Sequence, residues 1–154
     1  IKGMHKNLKE GVFEDMANGY AIGDWKKRLN VVGTITTALP QEVPAMIESL
    51  LAEDTGKKKV ELRDIAQFHA AFERIHPFQD GNGRVGRMVL LKQCLDADIT
   101  PVIIRDENKI KYYRCLGTAQ SEHDCSPLID FFESEQKWYQ EKVIPMIFDY
   151  DELQ

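Results

Sequence analysis

The stretch His76–Arg87, HPFQDGNGRVGR, decides how this sequence is interpreted. It brings together a histidine, an aspartate, an asparagine, glycines and two arginines, and segments with helical spacing flank it. Pro77 disfavours helical geometry at the residue before it, so the preceding helix should end near Ile75. The next helix is expected to begin around Asn82. The stretch therefore predicts a loop between two helices that carries chemically active side chains.

The glycines and arginines of this loop indicate an anion site. Gly81 and Gly83 can adopt positive φ, and their missing side chains let backbone N–H groups face one point. Such N–H groups at a helix start attract anions, helped by the helix dipole. Arg84 and Arg87 are three residues apart and project from nearly the same side of the helix. Because guanidinium groups match phosphate oxygens, the pattern favours a polyphosphate over a single carboxylate.

The acid and the base of the loop suggest a metal-assisted reaction. The two arginines and the helix end supply about +2.5 charges, so a nucleoside triphosphate would stay under-neutralised. A divalent metal would close most of that difference, and Asp80 is placed to hold Mg²⁺ together with phosphate oxygens and waters. His76 is a poor magnesium ligand. With an unperturbed pKa of about 6.5, it is better suited to act as a general base.

The rest of the chain predicts a mainly α-helical fold with one small β-hairpin. A helix around His5–Asn18 should be interrupted at Gly11, and the β-branched VVGTIT at 31–36 predicts a strand or hairpin. We expect His69 to be a hydrogen-bonded core histidine and Phe78 to pack inward. Helical spacing marks five further segments: 41–54, 61–75, about 82–97, 107–120 and 126–147, the last with Ser126 as N-cap.

Composition limits the classes of function. A length of 154 residues suits one domain, and a net charge of −5 argues against a general nucleic-acid or anionic-membrane surface. No apolar run approaches the roughly 20 residues of a membrane span. Cys94, Cys115 and Cys125 lack CxxC spacing, which indicates reduced thiols in a cytoplasmic protein. P-loop, dinucleotide-binding, kinase and zinc-deaminase signatures are absent from the sequence.

The loop resembles a known family signature. HPFQDGNGRVGR is similar to the HPFx[DE]GNGRxxR motif of Fic-domain proteins (filamentation induced by cyclic AMP), with every defining position filled. The resemblance extends over roughly residues 20–135. GYAIGDWKKRLNVVGTITTALPQEVP resembles the family's β-hairpin flap segment, and YYRCLGTAQSEHDCSPLIDFF resembles its downstream helix pair. We therefore expect a single Fic domain over 1–154, with a core at about 20–135 and incomplete flanks.

The resemblance implies transfer of AMP from ATP to a Tyr, Thr or Ser hydroxyl of a target protein. His76 would be the general base, and Asp80 would hold Mg²⁺ against the phosphates. The implied nucleotide-binding residues are Gly81, Asn82 and Gly83 as anion hole, Arg84 and Arg87 on the outer phosphates, and Tyr113 and Gln120 near the adenine. Relatives often have Asn at the position of Gln120. The implied flap residues, which would align the target by strand addition, are Val31, Val32, Gly33, Thr34, Ile35 and Thr36.

The resemblance also raises the question of restraint, and it leaves other functions open. Many family members carry an inhibitory [ST]xxxE[GN] helix whose glutamate pairs with the arginine equivalent to Arg87. This sequence lacks the pattern, since Lys6 stands at the Ser/Thr position of the nearest match. Restraint would then come from an inhibitory helix outside this sequence or from an antitoxin-like partner. Two alternatives are a Fic enzyme that transfers UMP or phosphocholine, and a catalytically silent nucleotide-binding interaction module.

Overall fold

The computed structural model describes residues 1–33 and 35–151. The chain forms two compact units. The first unit comprises Ile1–Lys58 and Phe68–Val89, and the second comprises Lys59–Gln67 and the residues from Leu90 onward. The first unit contains the whole of the HPFQDGNGRVGR loop. The expectation of a single domain over 1–154 stays a prediction.

Helices make up most of the first unit. It contains α1 (Lys2–Lys9), α2 (Phe13–Ala17), α3 (Val43–Thr55), much of α4 (Leu62–Ile75) and the beginning of α5 (Asn82–Asp96). The expected interruption near the amino end is confirmed, because Gly11 separates α1 from α2 with a φ of 80°. The helix α4 ends at Ile75, as the position of Pro77 predicts, and α5 begins at Asn82, where its start was expected.

The β-hairpin prediction is also confirmed. Strand β1 (Val31–Val32) pairs antiparallel with β2 (Ile35–Thr36), so that Val31 lies opposite Thr36. Gly33 follows β1 with a φ of 58°, a conformation that glycine adopts without strain. Thr34 lies outside the described residues. The fold is therefore mainly helical with a small two-stranded hairpin.

The core of the first unit lies under the loop. Apolar side chains at helical spacing on α3 and α4 form most of it, and α5 closes it. Phe78 is fully buried, which confirms its expected inward position. His69 is buried as expected, and its ring hydrogen-bonds the backbone of Gly86. The buried cluster consists of Val43, Ile47, Phe68, Phe72, Ile75, Phe78, Val85 and Val89.

The second unit contains the end of α5, a 3₁₀ turn at Asp106–Asn108, α6 (Lys109–Ser121), α7 (Ser126–Lys142) and α8 (Ile144–Asp151). Its buried side chains include Tyr112, Leu116, Leu128, Phe131 and Phe132. Cys94, Cys115 and Cys125 are free thiols. Within the described part of the chain, no helix has both the length and the apolar character required to cross a membrane.

Two expectations for the second unit are wrong. The predicted helix over 126–147 is two helices, α7 and α8, which separate at Val143. Proline is tolerated only in the first turn of a helix, so a new helix begins just before Pro145. Ser126 is not the N-cap but the first helical residue, and Cys125 precedes it as the cap. The carboxylate of Asp124 accepts a hydrogen bond from the Ser126 N–H at 2.9 Å. This bond forms the turn before α7, in place of the expected Ser126 cap.

Candidate active site

His76 sits in a strained turn directly after α4. Its φ of 52° is left-handed, which is uncommon for a residue with a side chain. The ring Nδ1 lies 3.2 Å from the backbone oxygen of Glu73. A carbonyl oxygen only accepts, so Nδ1 carries the proton and Nε2 keeps its lone pair. Burial lowers the pKa of His76 below its usual 6.5, which favours the neutral form that a general base requires.

Asp80 is a half-exposed carboxylate surrounded by positive charge. Its Oδ2 accepts from the ammonium group of Lys9 and, at 3.2 Å, from Nη2 of Arg84. Lys9 is buried and also pairs with Asp15. The hydrogen bond from Lys9 is the main reason that the pKa of Asp80 is held below its usual value. Asp80 is therefore ionised under ordinary conditions.

The donor set at Asp80 fits a magnesium ion that is shared with a substrate. Mg²⁺ commonly binds through one or two carboxylates together with phosphate oxygens and waters. Among the residues that the structure describes, no group of three or more His, Cys, Asp or Glu side chains could hold a metal without other ligands. A single half-exposed carboxylate suits a magnesium ion that takes its other ligands from substrate oxygens and waters.

The start of α5 is held in place by Asn82. Its Oδ1 accepts from the Phe78 N–H at 2.7 Å, and its Nδ2 donates to the Phe78 carbonyl at 2.8 Å. The buried side chain thus braces the loop at the start of α5. Gly81 has the expected positive φ, at 81°. Gly83 does not adopt it, because it lies in the first turn of α5.

Glu73 is a buried carboxylate at the back of the site. Its Oε2 lies 4.0 Å from Nδ1 of His76, and burial raises its pKa to about 7 against the opposing effect of Arg87. Within the described residues, Oε1 of Glu73 has no hydrogen-bond partner. A Cβ atom added to Gly86 would overlap this carboxylate, and one added to Gly83 would lie 3.2 Å from Nη1 of Arg87. The two glycines therefore leave room for Glu73 and Arg87.

Lys26 is buried beside the His76 turn. Its ammonium group donates to Oδ1 of Asn30 at 2.8 Å, to Oγ1 of Thr37 at 2.8 Å and to the Ile75 carbonyl at 3.3 Å. The backbone N–H of Lys26 donates to the Pro77 carbonyl at 2.8 Å. Burial lowers the pKa of Lys26 to about 8.

His5 supports the loop from α1. Its ring stacks on Phe78 with centroids 3.9 Å apart, accepts from the Gly23 N–H at Nδ1 and donates from Nε2 to the Asp80 carbonyl. Sequence reasoning missed four residues of this site: His5, Lys9, Lys26 and Glu73. Glu73 had a usable signal, since it lies four residues after His69 on the apolar face of α4. Lys9 and Lys26 had no signal in the sequence pattern.

The remaining expected site residues lie elsewhere in the chain. Tyr113 and Gln120 belong to α6 in the second unit, where a spacing of seven residues puts them on one helix face. Tyr113 is about half exposed. In the hairpin, Val31 and Val32 are exposed. The expected contacts of these residues with adenine and with a target chain stay predictions.

Comparison with known proteins gives a family and a fold. The sequence model of the Fic/DOC family matches residues 1–94. A protein adenylyltransferase Fic of Culex quinquefasciatus is 39% identical over 70 residues, which is 46% of this chain and 14% of the relative. A probable protein adenylyltransferase of Aquifex aeolicus is 28% identical over 113 residues, which is 71% of this chain and 35% of the relative. The chain thus spans a minor part of both relatives.

Solved structures agree with the fold. A Fic family protein from Desulfovibrio desulfuricans superposes with a TM-score of 0.73 at 24% identity, covering 94% of this chain and 46% of that one. Fic-1 from C. elegans superposes with a TM-score of 0.75 at 20% identity, covering 96% of this chain and 43% of that one.

Proposed function

Because the chain belongs to the Fic/DOC family, we propose that it transfers AMP from ATP to a tyrosine, threonine or serine hydroxyl of a target protein. The observation that carries the proposal is the geometry of His76. Its Nδ1 is bonded to the Glu73 carbonyl, which leaves Nε2 as the acceptor, and the turn lies directly before the helix α5 that carries Arg84 and Arg87. The relatives named as protein adenylyltransferases support the same reaction.

The proposed reaction is a displacement at phosphorus. Nε2 of His76 accepts the proton of the target hydroxyl, and the hydroxyl oxygen forms a bond to the α-phosphorus of ATP. The bond from that phosphorus to the oxygen bridging to the β-phosphate breaks, and pyrophosphate leaves. In such a reaction the protein contributes mainly positioning and charge stabilisation.

Other residues would bind the separate parts of ATP. The backbone at Gly81–Gly83 and the side chains of Arg84 and Arg87 would bind the phosphates. Asp80 would hold Mg²⁺, which supplies neutralisation of phosphate charge when bound. Tyr113 and Gln120 would face the adenine. The hairpin would pair with an extended target segment, and an inhibitory helix or an antitoxin-like partner would act on Arg87.

A matched pair of histidine variants tests the proposal. His76 and His123 both have left-handed φ values, of 52° and 57°, and asparagine tolerates this conformation. We expect His76→Asn to lower transfer of label from α-³²P-ATP by about 10²- to 10⁴-fold, as removal of a general base does. Calorimetry with Mg²⁺ should show ATP binding retained. His123→Asn, at an exposed position, should transfer normally.

The same assay separates the alternative functions. Label that reaches protein from UTP or CDP-choline but not from ATP would reject AMP transfer in favour of another donor. Binding of ATP without label on any protein, the chain itself included, would favour a nucleotide-binding interaction module. Unchanged transfer by His76→Asn would remove His76 as the base.

A further inference from the structure

The segment before the hairpin runs beside the His76 turn and is bound to it at several points. The turn accepts two hydrogen bonds from Lys26. In addition, Nδ2 of Asn30 donates to the Phe78 carbonyl at 2.9 Å. The Arg28 N–H donates to Oε1 of Gln79 at 3.2 Å. Residues 26–30 are therefore hydrogen-bonded along residues 75–79.

We propose that Lys26 is a positioning residue that holds the His76 turn in its left-handed geometry and joins that turn to both ends of the hairpin. The residues on either side of His76 both accept a hydrogen bond from Lys26. The Ile75 carbonyl accepts from its ammonium group, and the Pro77 carbonyl accepts from its backbone N–H. A left-handed residue with a side chain is strained and persists only where its surroundings enforce it. Lys26 supplies that enforcement on both sides of the base.

The connection to the hairpin is a polar network of two buried side chains, Lys26 and Thr37, and the half-buried Asn30. Asn30 lies just before β1 and Thr37 just after β2, and the Lys26 ammonium group binds both. The Thr37 hydroxyl lies 2.7 Å from both the Asn30 carbonyl and Asn30 Oδ1. Because unsatisfied buried polar groups are costly, these three side chains hold one arrangement. A displacement of the hairpin ends would therefore disturb the His76 turn.

Lys26 also belongs to the electrostatic environment of His76. The titratable groups that face the imidazole are Lys26 from the segment before the hairpin, Glu73 from α4 and Asp80 from the loop. After burial, the charge of Lys26 contributes to the lowered pKa of His76, while Asp80 opposes it. Loss of the ammonium charge should therefore move the His76 titration upward.

The test compares Lys26→Met with Lys27→Met, a neutralisation of the adjacent exposed lysine. The ring of His76 is titrated by NMR in each protein, and kcat and KM for ATP are measured in the transfer assay. We expect Lys26→Met to raise the pKa of His76 and to shift the amide signals of both the 75–78 turn and the hairpin ends. The kcat should fall by about 10- to 100-fold, as for a misplaced catalytic group, with KM for ATP little changed. Lys26→Arg should restore part of kcat.

The outcomes distinguish this inference from the proposed function on which its catalytic part rests. A wild-type protein that transfers nothing refutes AMP transfer, while the NMR comparison still decides the role of Lys26. A folded Lys26→Met protein with the wild-type His76 titration and wild-type kcat overturns the inference. If Lys26→Met does not fold, Thr37→Val removes one partner of the ammonium group at similar volume. Amide shifts confined to the neighbours of Thr37 would then count against the network.

Discussion

At the scale of single residues, Gly86 has to be a glycine because the Glu73 carboxylate fills the space that a side chain would need, and not because of its backbone geometry. A Cβ at this position would overlap Glu73 and lie 3.2 Å from the ring of Phe72. Both neighbours are buried, so neither can move away easily. We expect Gly86→Ala to lower the free energy of unfolding by about 1–3 kcal/mol, the usual cost of overpacking. Urea denaturation measures it.

The control for this substitution is Gly117→Ala. Gly117 lies within α6, and an added Cβ would meet nothing within 4 Å apart from the adjacent residues and the backbone of its own helix. Alanine in an open helical position gains about 0.5–1 kcal/mol over glycine, so this variant should be more stable than the wild type. A Gly86→Ala protein as stable as Gly117→Ala would mean that Glu73 does not fill the space beside Gly86.

Arg87 shows why the motif alone does not predict which side chains lie behind the loop. The sequence predicted Arg87 as a phosphate ligand from its spacing to Arg84. The structure adds that the Arg87 charge faces both Glu73 and His69, two groups on α4. Nothing in the spacing of the loop shows which side chains of the preceding helix lie behind it. That information comes from packing of α5 on α4.

At the scale of elements, α1 contributes a buried cation to the site. Lys9 is 4% exposed and pairs with Asp15, which is equally buried, and with Asp80. Breaking a buried ion pair from one side leaves an uncompensated charge and costs about 3–5 kcal/mol. We expect Lys9→Met to lower the free energy of unfolding by this amount, as measured by urea denaturation.

Two further variants locate the origin of that loss. Lys6→Met removes an exposed lysine of the same helix and should change stability by less than about 0.5 kcal/mol. The double variant Lys9→Met/Asp15→Asn removes both buried charges and should recover much of the lost stability. Additive losses in the double variant would show that charge compensation at Asp15 is not the cause.

Sequence signals that act over a few residues predicted the helices and the hairpin well. Pro77 gave the end of α4, the β-branched run at 31–36 gave the hairpin, and Gly11 gave the break after α1. The prediction failed at Ser126, where the carboxylate of Asp124 makes the competing turn. It failed again at Val143, because apolar spacing continues through a break that depends on Pro145. Both errors concern helix ends, where two possible end positions differ by one hydrogen bond.

At the scale of the molecule, the site joins residues that are far apart in the chain. The loop was predictable because His76, Asp80 and the arginines are contiguous. Lys26 and Lys9 were not, because burial of a lysine depends on the elements that fold over it. A lysine is usually exposed, so sequence reasoning assigns it to the surface unless a partner is visible. Their partners at the loop, the Ile75 carbonyl for Lys26 and Asp80 for Lys9, are 49 and 71 residues away.

Two buried groups of α4 give the stability of the protein opposing pH dependences. Burial lowers the pKa of His69 from 6.5 to about 4. Between those values the unfolded chain holds a proton that the native protein lacks, so the free energy of unfolding rises with pH. Burial raises the pKa of Glu73 from 4.5 to about 7. In that window the native protein holds the extra proton, so the free energy of unfolding falls with pH.

The two effects cancel between about pH 4.5 and 6.5, which makes Glu73→Gln informative. This variant removes the falling contribution and leaves that of His69, so its free energy of unfolding should rise more steeply with pH than that of the wild type. The difference in slope should approach about 1.4 kcal/mol per pH unit, the value for one proton. Urea denaturation at pH 5.0, 5.5, 6.0 and 6.5 measures both slopes. Glu133→Gln, at an exposed position of α7, should keep the wild-type slope, and a Glu73→Gln slope equal to it would show that Glu73 is already ionised at pH 5.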